Sequence, residues 1–198
     1  MAPMAAVALG LIVWGTLNEN RQFSWLGTAI AMIAFLTLLF FRDPERHPPA
    51  DPRAVVSPAD GKVIVAEILA DGRKHVAVFL SVFDVHVNRT PIGGEATKIT
   101  VTPGAYFHAG TLKAADENAR VDVEATTTFG TVAWRQTSGA IARKISCRLK
   151  SGDRFQTGER FGLIYFGSRM DVFLPSSATL VTTLGTRVRA GESAIATF

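Results

Sequence analysis

Few side chains in this 198-residue chain can act as acid, base or nucleophile. The histidines are His47, His75, His86 and His108, and no pair stands at a zinc-ligand spacing, so metal chemistry finds no support. His47 lies among prolines. His75 follows an "ADGRK" turn and reads as a solvated turn residue. The lone Cys147 excludes an intrachain disulfide and, in the alternating "ISCRL", reads as a small buried residue. Three clusters remain. "SPADGK" (57–62) sets Asp60 before Gly61, which alone is an ordinary turn signal. "FDVHVNRTP" (83–91), read as an extended run, gathers Asp84, His86, Asn88 and Arg89 on one polar face, with Val85 and Val87 on the other. In "YFGSRMDVF" (165–173), Gly167 and Ser168 interrupt what otherwise reads as buried strand.

A Gly-Ser pair has one specific chemical use. The Ser168 hydroxyl can attack the Gly167 carbonyl carbon and turn the peptide into an ester. Removal of the Ser168 α-proton then allows β-elimination, which cuts the chain, and loss of ammonia leaves a pyruvoyl group at the new N-terminus. Glycine suits the first position because it tolerates unusual backbone angles and leaves room for the attack. The ketone is a built-in electrophile able to form an imine with a substrate amine, and so an electron sink of the kind a cofactor supplies. As a bare dipeptide Gly-Ser is common, and the surrounding sequence must carry the weight. Ser168 lacks a G-x-S-x-G context, which argues against an α/β-hydrolase, and no G-x-x-x-x-G-K phosphate loop occurs.

The elements that would hold these groups divide the chain. Residues 1–17 and 23–41 carry no charged side chain, and "NENRQ" (18–22) between them fits a polar turn. The second stretch matches the ~20 residues a helix needs to cross a bilayer. The first lacks the basic start of a signal peptide, so a membrane-anchoring helical hairpin over 1–42 is preferred to a signal plus anchor. Arg42, Arg46 and Arg53 after the second stretch, against Arg21 in the turn, put the remaining domain on the cytoplasmic side of the cell membrane. "RDPERHPPADPR" (42–53), rich in proline and charge, marks a linker over 43–54.

From residue 55 to 198 short runs of alternating and β-branched residues are punctuated by Gly, Pro and Asp, and only 112–120 has helical composition. The reading is a mainly β (β-rich α+β) domain, two β halves folding against one another. The formal charge is +4, and residues 135–160 hold seven basic side chains against two acidic ones. Beside a membrane anchor, anionic lipid is a simpler partner for that stretch than nucleic acid.

Taken together and in order, "FFRDPER", "SPADGKV", "SVFDVHVNRTPIGGE", "PGAYFHA", "ARKISCRLKSGD", "GERFGLIYFGSRMDVFLP" and "GTRVRAGES" resemble the short, membrane-anchored, archaeal-type phosphatidylserine decarboxylases over essentially the whole chain. The resemblance implies a zymogen that cuts itself between Gly167 and Ser168. It would yield a β chain 1–167 and an α chain 168–198 that remain together as a heterodimer. The α chain would begin with the covalent pyruvoyl cofactor, and the reaction would convert phosphatidylserine to phosphatidylethanolamine without a metal. Ser168 then matches the nucleophile, Asp60 the acidic member of the self-cleavage triad, and His86 the first of two histidines found in longer relatives. Arg89 stands where their second histidine would be, which leaves the maturation base open between His86, the preferred choice, and His108. Arg89, Asn118 and Arg120 are candidates for the lipid phosphate. "ENAR" (117–120) departs from the family pattern at Ala119. The main rival is a membrane-tethered biotinyl- or lipoyl-like β module, suggested by "ADGKV" and "LGTRVRAGE", for which Lys62 is the only loose attachment point. A structural lipid-surface protein is a third option.

Overall fold

The computed structural model describes residues 2–140, 144–165 and 168–198. The chain forms two compact units, Met1–Arg42 and Asp43–Phe198. The first is a pair of apolar helices, α1 (Ala2–Leu17) and α2 (Arg21–Phe40). Asn20 caps α2 by accepting a hydrogen bond from the Gln22 N–H at 3.2 Å. The helices approach closely at Gly27, where an added Cβ would lie 2.7 Å from both the Ala8 carbonyl oxygen and Ile12 Cγ1. α2 is long and apolar enough to cross a membrane. α1 has 16 residues, so it rises about 24 Å, less than a hydrocarbon core of about 30 Å.

The second unit is mainly β. Its elements are β1 (Ala54–Val56), β2 (Gly61–Ile68), β3 (Lys74–Leu80), β4 (Val87–Arg89), β5 (Gly94–Thr102), α3 (Leu112–Glu117), β6 (Arg120–Thr127) and β7 (Gly130–Thr137). These are followed by β8 (Ile145–Cys147), β9 (Arg154–Phe155), β10 (Arg160–Ile164), β11 (Ser168–Leu174), β12 (Thr179–Leu180), β13 (Arg187–Val188) and β14 (Ala194–Thr197). An eight-stranded sheet runs in the order β13-β2-β3-β11-β7-β6-β5-β9, and two three-stranded sheets run β1-β14-β12 and β4-β10-β8. The pairings between the named strands are antiparallel. β1 on β14 joins the two ends of the domain.

Strand alternation decides what each face of the large sheet does. Along β11, Met170, Val172 and Leu174 enter the core with Val76, Val78 and Leu80 of β3. Arg169, Asp171 and Phe173 point the other way, into a polar hollow of about 1190 Å³. The core is closed by side chains from all three sheets, among them Val55, Phe161, Ile164 and Ile195. Trp134 meets Phe155 and Phe161 edge to face at 5.7 Å.

Candidate active site

The break at Gly-Ser is a change of sheet. β10 belongs to the small β4-β10-β8 sheet and β11 to the large one. The chain therefore leaves one sheet after Ile164 and enters the other at Ser168. Gly167 lies outside the described residues. A second connection makes the same passage beside it. Ser168 pairs with Leu80 at the end of β3, and Leu163 pairs with Val87 at the start of β4. The loop 81–86 thus runs between the same two sheets, from the partner of Ser168 to the partner of Leu163, and its last residue is His86. The Ile164 N–H donates to the His86 carbonyl at 3.4 Å.

That loop is built by Asp84. Its Oδ2 accepts from the Ser81 N–H at 2.8 Å and the Ser81 hydroxyl at 2.7 Å. Its Oδ1 accepts from Arg187 at 2.9 Å. His86 is fully buried, and its Nδ1 lies 2.9 Å from the Asp84 carbonyl oxygen. A carbonyl can only accept, so Nδ1 carries a hydrogen and the neutral ring has its lone pair on Nε2. The expected four-residue polar face is not what forms. Regular strand covers only Val87–Arg89, and the turn that Asp84 stabilises ends the alternation. Asn88 and Arg89, adjacent along a strand, point to opposite sides.

Ser168 is fully buried, and its hydroxyl has no hydrogen-bond partner among the described residues. Other polar groups share this condition on the neighbouring elements. Gln136, opposite Met170 in the β7–β11 register, donates to Asn88 Oδ1 at 2.9 Å. Ser138 follows Thr137, the partner of Arg169. Asn88 Nδ2, Gln136 Oε1 and Ser138 Oγ are buried and unbonded, like Ser168 Oγ. Unsatisfied buried polar atoms are costly, each by about 1–3 kcal/mol, and these four lie on the elements around the head of β11. Gln136 and Ser138 were not singled out in the sequence. Their signal was two polar residues continuing the inward positions that Val132 and Trp134 begin.

The other anticipated residues are dispersed. Lys62 pairs with Phe79, and Phe79 with Arg169. Asp60, just ahead of β2, thus belongs two strands from Ser168, or about 10 Å between backbones. Its Oδ1 accepts from the Ala190 N–H at 2.7 Å and its Oδ2 from Arg46 at 3.0 Å. Arg46 also reaches Glu192 at 2.8 Å. Buried Arg89 donates to the Gly158 carbonyl at 3.0 Å, the Pro44 carbonyl at 3.0 Å and Asp43 at 3.2 Å. Burial lowers its pKa, and the nearby Arg160 charge adds to this while Asp43 opposes it. Asn118 spends both amide hydrogens on the Phe107 and Ser138 carbonyls and accepts from the Phe107 N–H. Arg120 lines the polar hollow and donates to the Asp116 carbonyl at 2.7 Å. His108 is exposed, stacked on Phe79 at 5.4 Å, and its Nδ1 accepts from the Gly110 N–H.

Two readings from composition are corrected. His75 is buried, not solvated: its Nε2 meets Asp171 at 2.8 Å, its Nδ1 meets Glu67 at 3.1 Å, and its ring stacks on Phe173. The basic stretch 135–160 does not form one patch, because Arg135 turns into the hollow toward Asp122 while Arg154 pairs with Glu95 at the sheet edge. Cys147 is half-buried, and burial pushes its thiol pKa up.

The model of the phosphatidylserine decarboxylase family matches residues 33–196. The chain belongs to the phosphatidylserine decarboxylase family. It is 45% identical over 193 residues to the phosphatidylserine decarboxylase proenzyme of Desulfotalea psychrophila, a match covering 93% of this chain and 90% of that one. To the proenzyme of Syntrophus aciditrophicus it is 41% identical over 182 residues, covering 88% and 85%. To that of Magnetococcus marinus it is 41% identical over 199 residues, covering 96% and 89%. Membership in this decarboxylase family sets the carrier-module and lipid-surface alternatives aside. Among the described residues no group of three His, Cys, Asp or Glu side chains could hold a metal ion.

Proposed function

We propose that this chain is a self-processing decarboxylase that converts phosphatidylserine to phosphatidylethanolamine at a membrane, using a pyruvoyl group made from Ser168. The observation that carries the reading is the Ser168 hydroxyl at the head of β11, buried and without a hydrogen-bond partner among the described residues. The name "proenzyme" borne by the relatives agrees with a chain that must be cut before it works.

In maturation Ser168 Oγ bonds to the Gly167 carbonyl carbon as the C–N bond breaks, giving an ester. His86, ending the loop that joins β3, the partner of β11, to β4, takes the Ser168 α-proton. Elimination then expels the Gly167 carboxylate, and hydrolysis releases ammonia. Asp60 is the acidic member of the site, held at its edge by Arg46 and the Ala190 N–H. The unbonded groups of Gln136, Ser138 and Asn88 fit a small carbonyl-bearing residue in place of Ser168. That pyruvoyl ketone supplies the electrophile for the substrate amine and the electron sink that lets carbon dioxide leave.

After the cut, β11 is held by seven paired residues on β3 and five on β7, which keeps the α chain 168–198 with the β chain 1–167 as a heterodimer. Arg120, held by the Asp116 carbonyl and Asp122 on the wall of the hollow, is the proposed phosphate contact, and the buried Arg89 and Asn118 act by positioning. The helical pair over 1–42 is the proposed anchor, and the arginines after α2 favour a decarboxylase unit on the cytoplasmic face. No nucleic acid takes part. Intact-mass measurement should find two chains, the smaller beginning at a blocked residue 168, while Ser168→Ala stays whole. Cyanoborohydride treatment with phosphatidylserine should add substrate mass to the α chain. A single unprocessed chain in an active preparation would overturn the reading.

A further inference from the structure

The loop that ends in His86 also carries side chains that the site does not use. Phe83 is 68% exposed at its tip, beside Val82. A second apolar tip lies close by. The turn 183–186 folds over β2, with the Gly185 N–H donating to the Val63 carbonyl and the Val63 N–H donating to the Thr186 carbonyl, and it holds Leu184 out at 70% exposure. The two tips are joined by the ion pair of Arg187 with Asp84 at 2.9 Å. Lys62, opposite Arg187 in the β2–β13 register, is exposed, and so is Arg189. Two apolar side chains therefore project from one edge of the domain among three cations, of which Arg187 pairs with Asp84 and Arg189 stands 3.9 Å from Glu192.

The same edge of the domain holds its first segment, residues 43–46. Asp43 and Pro44 are held by Arg89, and Arg46 is held by Asp60 and Glu192. Asp60 in turn holds the Ala190 N–H, three residues past Arg187. The 43–46 segment, the apolar tips, the cations and the loop ending in His86 all lie toward the starts of β2 and β11.

We propose that Phe83 and Leu184 enter the interface of an anionic bilayer while Lys62, Arg187 and Arg189 contact its headgroups, so that the decarboxylase unit docks edge-on with the head of β11 facing the lipid. Apolar tips ringed by cations match the two layers of such a surface, acyl boundary and acidic headgroups. The proposal rests on a lipid being the substrate. It adds a second membrane contact, separate from the helical anchor, that presents the site to that lipid.

The test uses the full mature chain in vesicles of phosphatidylserine and phosphatidylcholine. A bimane probe on a cysteine at position 184, in a Cys147→Ser background, should be quenched by lipids brominated high on the acyl chain. Phe83→Ser with Leu184→Ser should leave self-cleavage and turnover of a monomeric short-chain phosphatidylserine unchanged. On vesicles the same variant should lose roughly a hundredfold in kcat/KM through a raised KM, the scale expected when two largely exposed apolar groups no longer enter an apolar phase. Lys62→Gln with Arg187→Gln should flatten the salt dependence of the vesicle reaction. An unquenched probe, or vesicle kinetics equal to wild type, would overturn the proposal, as would quenching abolished by an added soluble protein partner. A wild-type chain that decarboxylates neither lipid form would instead sink the proposed activity, and the quenching measurement would still decide the docking.

Discussion

Arg169 and Asp171 meet on the face of β11 opposite Ser168, where the guanidinium donates three hydrogen bonds to the carboxylate at 2.6–3.0 Å. His75 adds a contact at 2.8 Å from β3. The cluster sits directly behind Ser168, tying the first residues of β11 to the neighbouring strand. A carboxylate this deeply buried would ordinarily become harder to ionise.

Burial does push Asp171 upward, but the hydrogen bonds from His75 and Arg169, with their charges, outweigh it and hold the group below the usual carboxylate value. A folded value below the unfolded one gives stability that is present above the unfolded pKa, near ~3.9, and is lost as pH falls through the folded value. Asp171→Asn should therefore lessen the acid sensitivity of unfolding below about pH 4. At neutral pH it should cost about 3 kcal/mol, because Arg169 stays buried without its counter-charge. Urea unfolding at both pH values checks this, and an unchanged midpoint at pH 7 would contradict it.

His86→Gln tests the proposed maturation base. Glutamine can still donate to the Asp84 carbonyl, which preserves the loop, but it cannot take up a proton. Self-cleavage should slow by about 10²–10⁴-fold, the range for a general base, followed as the disappearance of full-length mass with time. His108→Gln should cut at close to the wild-type rate. If the two variants exchanged these behaviours, the base would be His108.

Sequence patterning made the class of fold legible because β-branched alternation, turn residues and two uncharged stretches are each local signals. The Gly-Ser break was legible too, but its structural meaning was not. That Ser168 opens a strand in a different sheet from Ile164 depends on the pairings with Leu80 and Val87, which lie far away in sequence. His75 shows the same limit. The residues before it, Asp71 to Lys74, are polar or glycine, and only the distant strand containing Asp171 and Phe173 buries it. Asp84 misled in the opposite direction: its side chain makes a turn with Ser81, and a turn looks like strand when polar and apolar residues happen to alternate. Arg89 and Asn118 looked like phosphate ligands by residue type, and their engagement with backbone carbonyls 11 to 69 residues away could not be read locally.

Gly61 controls the approach of β2 to β3 next to Asp60. Its φ is +152°, and an added Cβ would run into the Phe79 backbone carbonyl. Backbone cannot yield as a side-chain tip can, so Gly61→Ala should destabilise the domain by about 2 kcal/mol or more, through strain and displaced strand pairing. Gly152→Ala, also at positive φ but with no atom near the new Cβ, should cost only about 1 kcal/mol. Thermal unfolding of the two uncut Ser168→Ala backgrounds compares them directly, and equal losses would show that the contact with Phe79 carries no weight.

Arg89 separates a positioning role from a substrate contact. Its guanidinium fork bridges Gly158, Pro44 and Asp43, a geometry that a lysine ammonium cannot reproduce. If it fastens the 43–46 segment to the domain, Arg89→Lys should cost about 2–3 kcal/mol by leaving buried carbonyls short of donors. Limited proteolysis should then cut faster between residues 43 and 53, and KM for phosphatidylserine in short-chain form should hold. Arg120→Gln should behave in the reverse manner, raising KM for that monomeric lipid by about tenfold, the order of one charge-assisted phosphate contact, with little change in unfolding. A raised KM in Arg89→Lys with wild-type stability would return Arg89 to the phosphate.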